Sequence, residues 1–128
     1  MAFTPEDGTG VSGANSLIEL AYADEYFTDR GITEWDALSE SQKQSAAILG
    51  TTYVCSQYTF KGQRLKSSQG TCFPRVGVVD PAGLPVEGVP DCVKQCTCEL
   101  ALRASRGPLI PDPVFDENGR NVKMLQLS

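Results

Sequence analysis

Cysteine is the residue type in this chain best suited to metal or redox chemistry. Cys92, Cys96 and Cys98 crowd together, while Cys55 and Cys72 stand apart. Zinc takes four nitrogen or sulfur ligands in a tetrahedron, usually from two spaced pairs. On a helix, Cys92 and Cys96 point the same way one turn apart and Cys98 points elsewhere. There is no second pair and no histidine anywhere. The simpler assignment is small residues filling gaps between helices, so no metal or other cofactor is expected. An odd cysteine count, with an N-terminus (MAFTPEDGTG) that lacks signal-peptide features, argues against a disulfide framework and for assembly in a cytoplasm.

Missing histidine also removes the commonest general base. No carboxylate pair is marked out by an apolar pocket, no base partners the serines, and neither a GxGxxG nor a P-loop pattern occurs. No catalytic residue is assigned and no enzyme is expected. What remains is a stretch that interleaves Tyr53, Tyr58, Phe60 and Phe73 with Lys61, Arg64, Lys66 and Arg75. Single-strand binders combine stacking aromatics with a cationic groove. The tyrosines also fit the buried stripes of a helix. The bases also fit a solvated loop, or contact with DNA phosphate or an acidic protein surface. Lys61, Arg64, Lys66 and Arg75 are thus the candidates for a nucleic acid or an acidic partner.

The chain has 128 residues and a net charge of -5, which suits one domain. Charge is unevenly spread. Residues 1–40 hold nine acids against Arg30, and residues 41–79 hold five bases and no acid. Such asymmetry points to a charged partner, to self-association, or to two segments that neutralise each other within one subunit. No apolar run is long enough for a membrane span.

The elements that must position these residues read as mainly α: a small three-to-four-helix domain with a long ordered loop. Residues 1–15 are Gly- and Ser/Thr-containing and read as a flexible N-terminal arm. The helical domain spans 16–107. Its first helix runs from about Ala21 to Arg30 and stops at Gly31. Ser39 and Gln42 make a capping box for a second helix reaching about Gln57. On it Ala46, Leu49 and Tyr53 form one stripe, with Ala47, Val54 and Tyr58 beside them. Gly50 in mid-helix implies a close crossing. The third helix runs from about Pro90, placed for the first turn, to Arg106, with Gly107 as its cap. Its stripe is Val93, Cys96, Thr97, Leu100 and Ala104. Trp35, Leu49, Tyr53, Val93 and Leu100 are the core candidates. Phe73 and the valines of the 71–90 loop should cover helices two and three. Residues 108–128 read as a C-terminal β-hairpin arm turning at Asn118-Gly119.

The segment FPRVGVVDPAGLPVEGVPDCVKQCTCELALRA resembles a tailed-phage family in which an aromatic-Pro-Arg-x-Gly element leads to a Pro-headed helix carrying Glu-Leu-Ala. IELAYADEYFTDRG, Trp35 and YTFKGQR stand in that family's order, so the resemblance covers about residues 16–106. Members usually carry tryptophan where this chain has Phe73. The family is labelled DnaT-like single-stranded DNA-binding, and it also looks like head-tail connector (adaptor or head-completion) proteins. The connector resemblance implies a virion protein of the neck: a homo-oligomeric, twelve-fold ring between the portal protein and a tail-side neck or tail terminator protein. Double-stranded DNA would pass through its lumen. Phe73, Pro74, Arg75, Asp80 and Pro90 then become loop and subunit-contact candidates, with Arg75 holding the turn through backbone carbonyls or a carboxylate. The acidic total charge favours this reading over a free single-stranded DNA-binding protein of DnaT-like type, which is the alternative.

Overall fold

The computed structural model describes residues 2–109. Its elements are α1 (Leu20–Asp29), α2 (Glu40–Gln57), β1 (Gln63–Arg64), β2 (Arg75–Val76) and α3 (Asp91–Arg106). The strands form one antiparallel ribbon in which Gln63 faces Val76 and Arg64 faces Arg75. The expected C-terminal hairpin lies outside the described residues.

Helix boundaries follow local chemistry. Ser39 accepts from the Gln42 amide and Gln42 reaches back to the Ser39 amide, completing the capping box of α2. Gly31, at φ 68°, ends the turn after α1 and donates to Thr28. Pro90 is not the first helical residue. It is the N-cap of α3, and its carbonyl accepts from Val93 and Lys94 at 3.0 and 3.1 Å.

The helix faces differ from those read by apolar spacing. α2 buries Ala46, Ala47, Gly50, Thr51 and Val54, while Leu49 is 52% exposed. α3 buries Thr97, Cys98, Leu100, Ala101 and Leu102, and Cys96 faces out. Leu49 is therefore not a core residue, and Cys98 rather than Cys96 is. The cause is the crossing at Gly50. A Cβ there would lie 3.0 Å from both the Ala101 nitrogen and the Thr97 oxygen. Backbones that meet this closely admit small side chains only, and larger ones turn aside.

Two apolar clusters flank the crossing. One gathers Ile18, Ala23, Phe27, Trp35, Ala46, Ala47, Cys98, Ala101 and Leu102. Trp35 is fully buried, packs on Phe27 with ring centroids 5.2 Å apart, and donates its indole N–H to Asp24 at 2.8 Å. The other joins Leu17, Val54, Phe73, Val89 and Leu100, with Tyr53 and Val93 packed at its edge. The loop lid is thus Phe73 and Val89. Val76 and Val79 are exposed, Val79 at 62%. Val76 belongs to β2, and Val79 stands at a separate turn held by Asp80.

The N-terminal segment, read from its polar sequence as a flexible arm, is built into the domain. Pro5 bridges to Ser16 and Ser12 to Gln69. The Glu6 side chain is buried and accepts three backbone N–H groups, from Gly8, Gly10 and Val11, at 2.8 to 2.9 Å. Leu17 N–H donates to Thr51 Oγ1 on α2 at 2.9 Å.

Two substitutions test this architecture by urea unfolding. Gly50→Val forces a branched side chain against α3 backbone and should lower stability by about 2–3 kcal/mol, despite its gain in helix propensity. Glu6→Ala strands three amides and should lower it by about 3 kcal/mol. Unchanged midpoints would mean that neither contact carries the fold.

Candidate nucleic-acid interface

α2 ends at Gln57, and Tyr58 caps it in an extended conformation. From here the four aromatics of the basic stretch part company. Phe73 is buried, and Phe60 meets it edge-on with centroids 4.8 Å apart. Tyr53 is half-buried. Tyr58 leans its edge on Tyr53 at 6.2 Å and leaves half of its surface in solvent. Of the four, Tyr58 is the one with a ring free enough to stack on a base.

The bases that follow sit on a braced ribbon. Arg75 is its centre. Its guanidinium donates to the carbonyls of Lys61 (2.9 Å), Gly62 (2.9 Å), Phe60 (3.4 Å) and Cys72 (3.1 Å). This matches the bracing role read for it, through carbonyls rather than a carboxylate. A planar fork of five N–H donors suits such a cluster, and an ammonium does not. Gly62, at φ 75°, sits against the Val76 carbonyl with no space for a side chain. Leu65 N–H donates to Pro74 O at 3.0 Å. Buried Gln69 accepts from Lys66 N–H and donates to Thr71 O and Pro74 O, all at 2.9 Å. Phe73-Pro74 is a cis peptide. A disulfide joins Cys55 of α2 to Cys72. The expectation that no such bond exists is therefore wrong: the odd count leaves three free thiols beside one closed pair.

On this frame the side chains of Lys61, Arg64 and Lys66 are exposed. The two ion pairs among the described residues are Lys43–Asp24 at 2.9 Å and Arg106–Glu34 at 2.7 Å, so neither involves the ribbon. Acidic and basic segments do meet in part. Asp24 takes Lys43, and Lys66 lies near enough to Asp7 to help hold its carboxyl below the usual range, behind the larger effect of Thr9 donating to it. Arg64 gains no such relief. It stands directly across from Arg75, and like charges so placed repel. Arg75 is occupied with carbonyls. Arg64, like Lys61, is left for an outside anion.

The remaining candidates have structural neighbours. Pro74 is buried beneath the ribbon. Asp80 closes its own turn by accepting from Ala82 and Leu84 at 2.9 and 3.0 Å. Among the cysteines, burial pushes the Cys98 thiol up to about 12, and Cys92 and Cys96 are exposed on α3. Among the described residues no group of three or more Cys, Asp or Glu is placed to hold a metal. No described helix is long and apolar enough to cross a membrane. The disulfide and the Glu6 turn were missed from sequence. The spacing of Gly8 and Gly10 after Glu6 is the one signal that pointed to the latter.

A family model described as "Putative DnaT-like ssDNA binding protein" matches residues 1–127. No curated protein and no solved structure matches the chain. The family match overturns the head-tail connector reading and with it the virion neck, the portal and tail-side partners and the twelve-fold ring. The matching family is described by single-stranded DNA, not by connection of head to tail.

Arg75 gives the test of the ribbon itself. Arg75→Lys keeps the charge and loses the fork, and Arg75→Ala loses both. Each should destabilise the domain by about 2 kcal/mol and speed amide exchange at Leu65. A lysine variant as stable as the native chain would show that charge, not the carbonyl bonds, is what matters.

Proposed function

The chain belongs to the family of DnaT-like single-stranded-DNA-binding proteins, and from that premise we propose a non-enzymatic module that binds single-stranded DNA. Lys61, Arg64 and Lys66 take consecutive phosphates, and Tyr58 stacks on a base. The observation that carries this reading is the ribbon: three exposed cations, none of them in a salt bridge among the described residues, one of them facing a second arginine, on a frame braced before any ligand arrives. A preformed site loses little freedom on binding. A phosphate at Arg64 relieves the repulsion from Arg75.

Net charge argues for modest affinity. At -5 overall the protein repels a polyanion except along the ribbon. Single strands suit such a narrow site, because they bend to follow it and offer unpaired bases for stacking.

The test is fluorescence anisotropy with a labelled oligothymidylate across a salt series. Three phosphate contacts on a single strand give a slope of log K against log salt of about -2. Charge reversal at Lys61, Arg64 and Lys66 together should abolish binding. Tyr58→Ala should weaken it by about 1–3 kcal/mol with little change in the salt slope. Absence of binding at low salt, or binding that survives the triple reversal, sinks the assignment.

A further inference from the structure

The disulfide deserves a reading beyond its place in the fold, because of what it encloses. Cys55 and Cys72 are 17 residues apart, and Tyr58, Lys61, Arg64 and Lys66 all lie between them. Both cysteines are half-buried rather than sealed in the core. The free thiols differ. Cys98 is buried, and Cys92 and Cys96 stand together on the outer face of α3, away from the loop.

Every other tie on this loop is non-covalent. Phe60 packs on Phe73 at one end. Gln69 is bonded at the other. Arg75 reaches both ends, bonding Phe60, Lys61 and Gly62 on one side and Cys72 on the other. Opening the sulfur bridge releases Cys72 from α2. That loosens the carbonyl on which one arm of the Arg75 fork rests, and leaves the ends of the loop held to each other by the non-covalent ties alone. Disulfides persist where the surroundings oxidise and are lost where they reduce.

We propose that Cys55–Cys72 is a reversible thiol–disulfide exchange site that sets the order of the basic ribbon and, through it, the affinity for single-stranded DNA. The second half rests on the DNA-binding reading above. The partner is a dithiol reductant. One of its thiolates attacks a sulfur of the bridge, the S–S bond breaks, and the released cysteine sulfur takes a proton. The second thiol of the reductant then displaces the mixed disulfide. In sum two electrons and two protons pass to Cys55 and Cys72, and the reductant leaves as a disulfide. An oxidised dithiol runs the reaction backwards.

Limited trypsin digestion of the full chain tests the site, since trypsin cuts after Lys61, Arg64 and Lys66. Dithiothreitol should speed cleavage at these bonds about tenfold, as a loop tied at both ends becomes one that opens locally. The C55S/C72S variant, which keeps Cys92, Cys96 and Cys98, should be cut at the fast rate with or without reductant. Far-UV circular dichroism should stay constant on reduction. In the anisotropy assay, reduction should weaken oligothymidylate binding about tenfold. Equal cleavage rates in the two redox states overturn the proposal, as does a reductant effect that persists in C55S/C72S. Loss of helix on reduction also overturns it, because the bridge is then a staple for the whole fold. A digestion response with unchanged affinity removes the link to DNA. No binding in either state defeats the DNA reading alone and leaves the exchange site standing.

Discussion

The approach of α2 to α3 at Gly50 is the constraint on which the rest depends. With Gly50 nearly touching the backbone of Thr97 and Ala101, the small residues Ala46, Ala47 and Ala101 cluster beside the crossing. The large apolar groups are displaced to either side. On one side they gather around Trp35 and Phe27, and on the other around Phe73 and Leu100. The first cluster holds α1 in place. The second holds the loop that carries the basic ribbon. One close contact thereby divides a small core into a part that secures the helices and a part that supports the candidate site.

Electrostatics follows the same division. Several acids of the first forty residues are used within the domain. Glu6 closes a backbone turn, Asp24 accepts from both Trp35 and Lys43, and Glu34 pairs with Arg106. The ribbon keeps its bases for the outside. Asymmetry of charge along the sequence is therefore only partly cancelled by folding, and the basic part that stays exposed includes Lys61, Arg64 and Lys66.

Much of this was legible in the sequence. The capping box of α2, the stop at Gly31, the burial of Trp35, the close crossing implied by Gly50 and the bracing role of Arg75 all follow from local chemistry, and the structure agrees. The stripes containing Leu49 and Cys96 were misread because apolar spacing alone was taken as the guide to burial, whereas the crossing at Gly50 fixes which face of each helix turns inward. The first fifteen residues misled for a related reason. Their composition is that of a free arm, but Glu6 satisfies the backbone that water would otherwise solvate. The Cys55–Cys72 bond was hidden because pairing depends on where chain segments meet, which spacing alone does not give. The connector reading failed differently. It rested on a resemblance, with the acidic total charge used to choose between two labels for the same family, and overall charge describes the average of a surface rather than any one patch of it.

The built-in N-terminal segment has a consequence for how the protein is made. Leu17 donates to a residue 34 positions later, and Ser12 and Val11 meet Gln69 and Gly70, later still. During synthesis, residues 11–17 leave the ribosome well before the partners they meet. They wait while α1 and α2 emerge and can settle only after Gly70 has appeared. Long-range pairings of this kind slow folding relative to a purely helical bundle of the same size. The basic ribbon and the N-terminal segment are therefore tied to each other, through Ser12 with Gln69 and Val11 with Gly70.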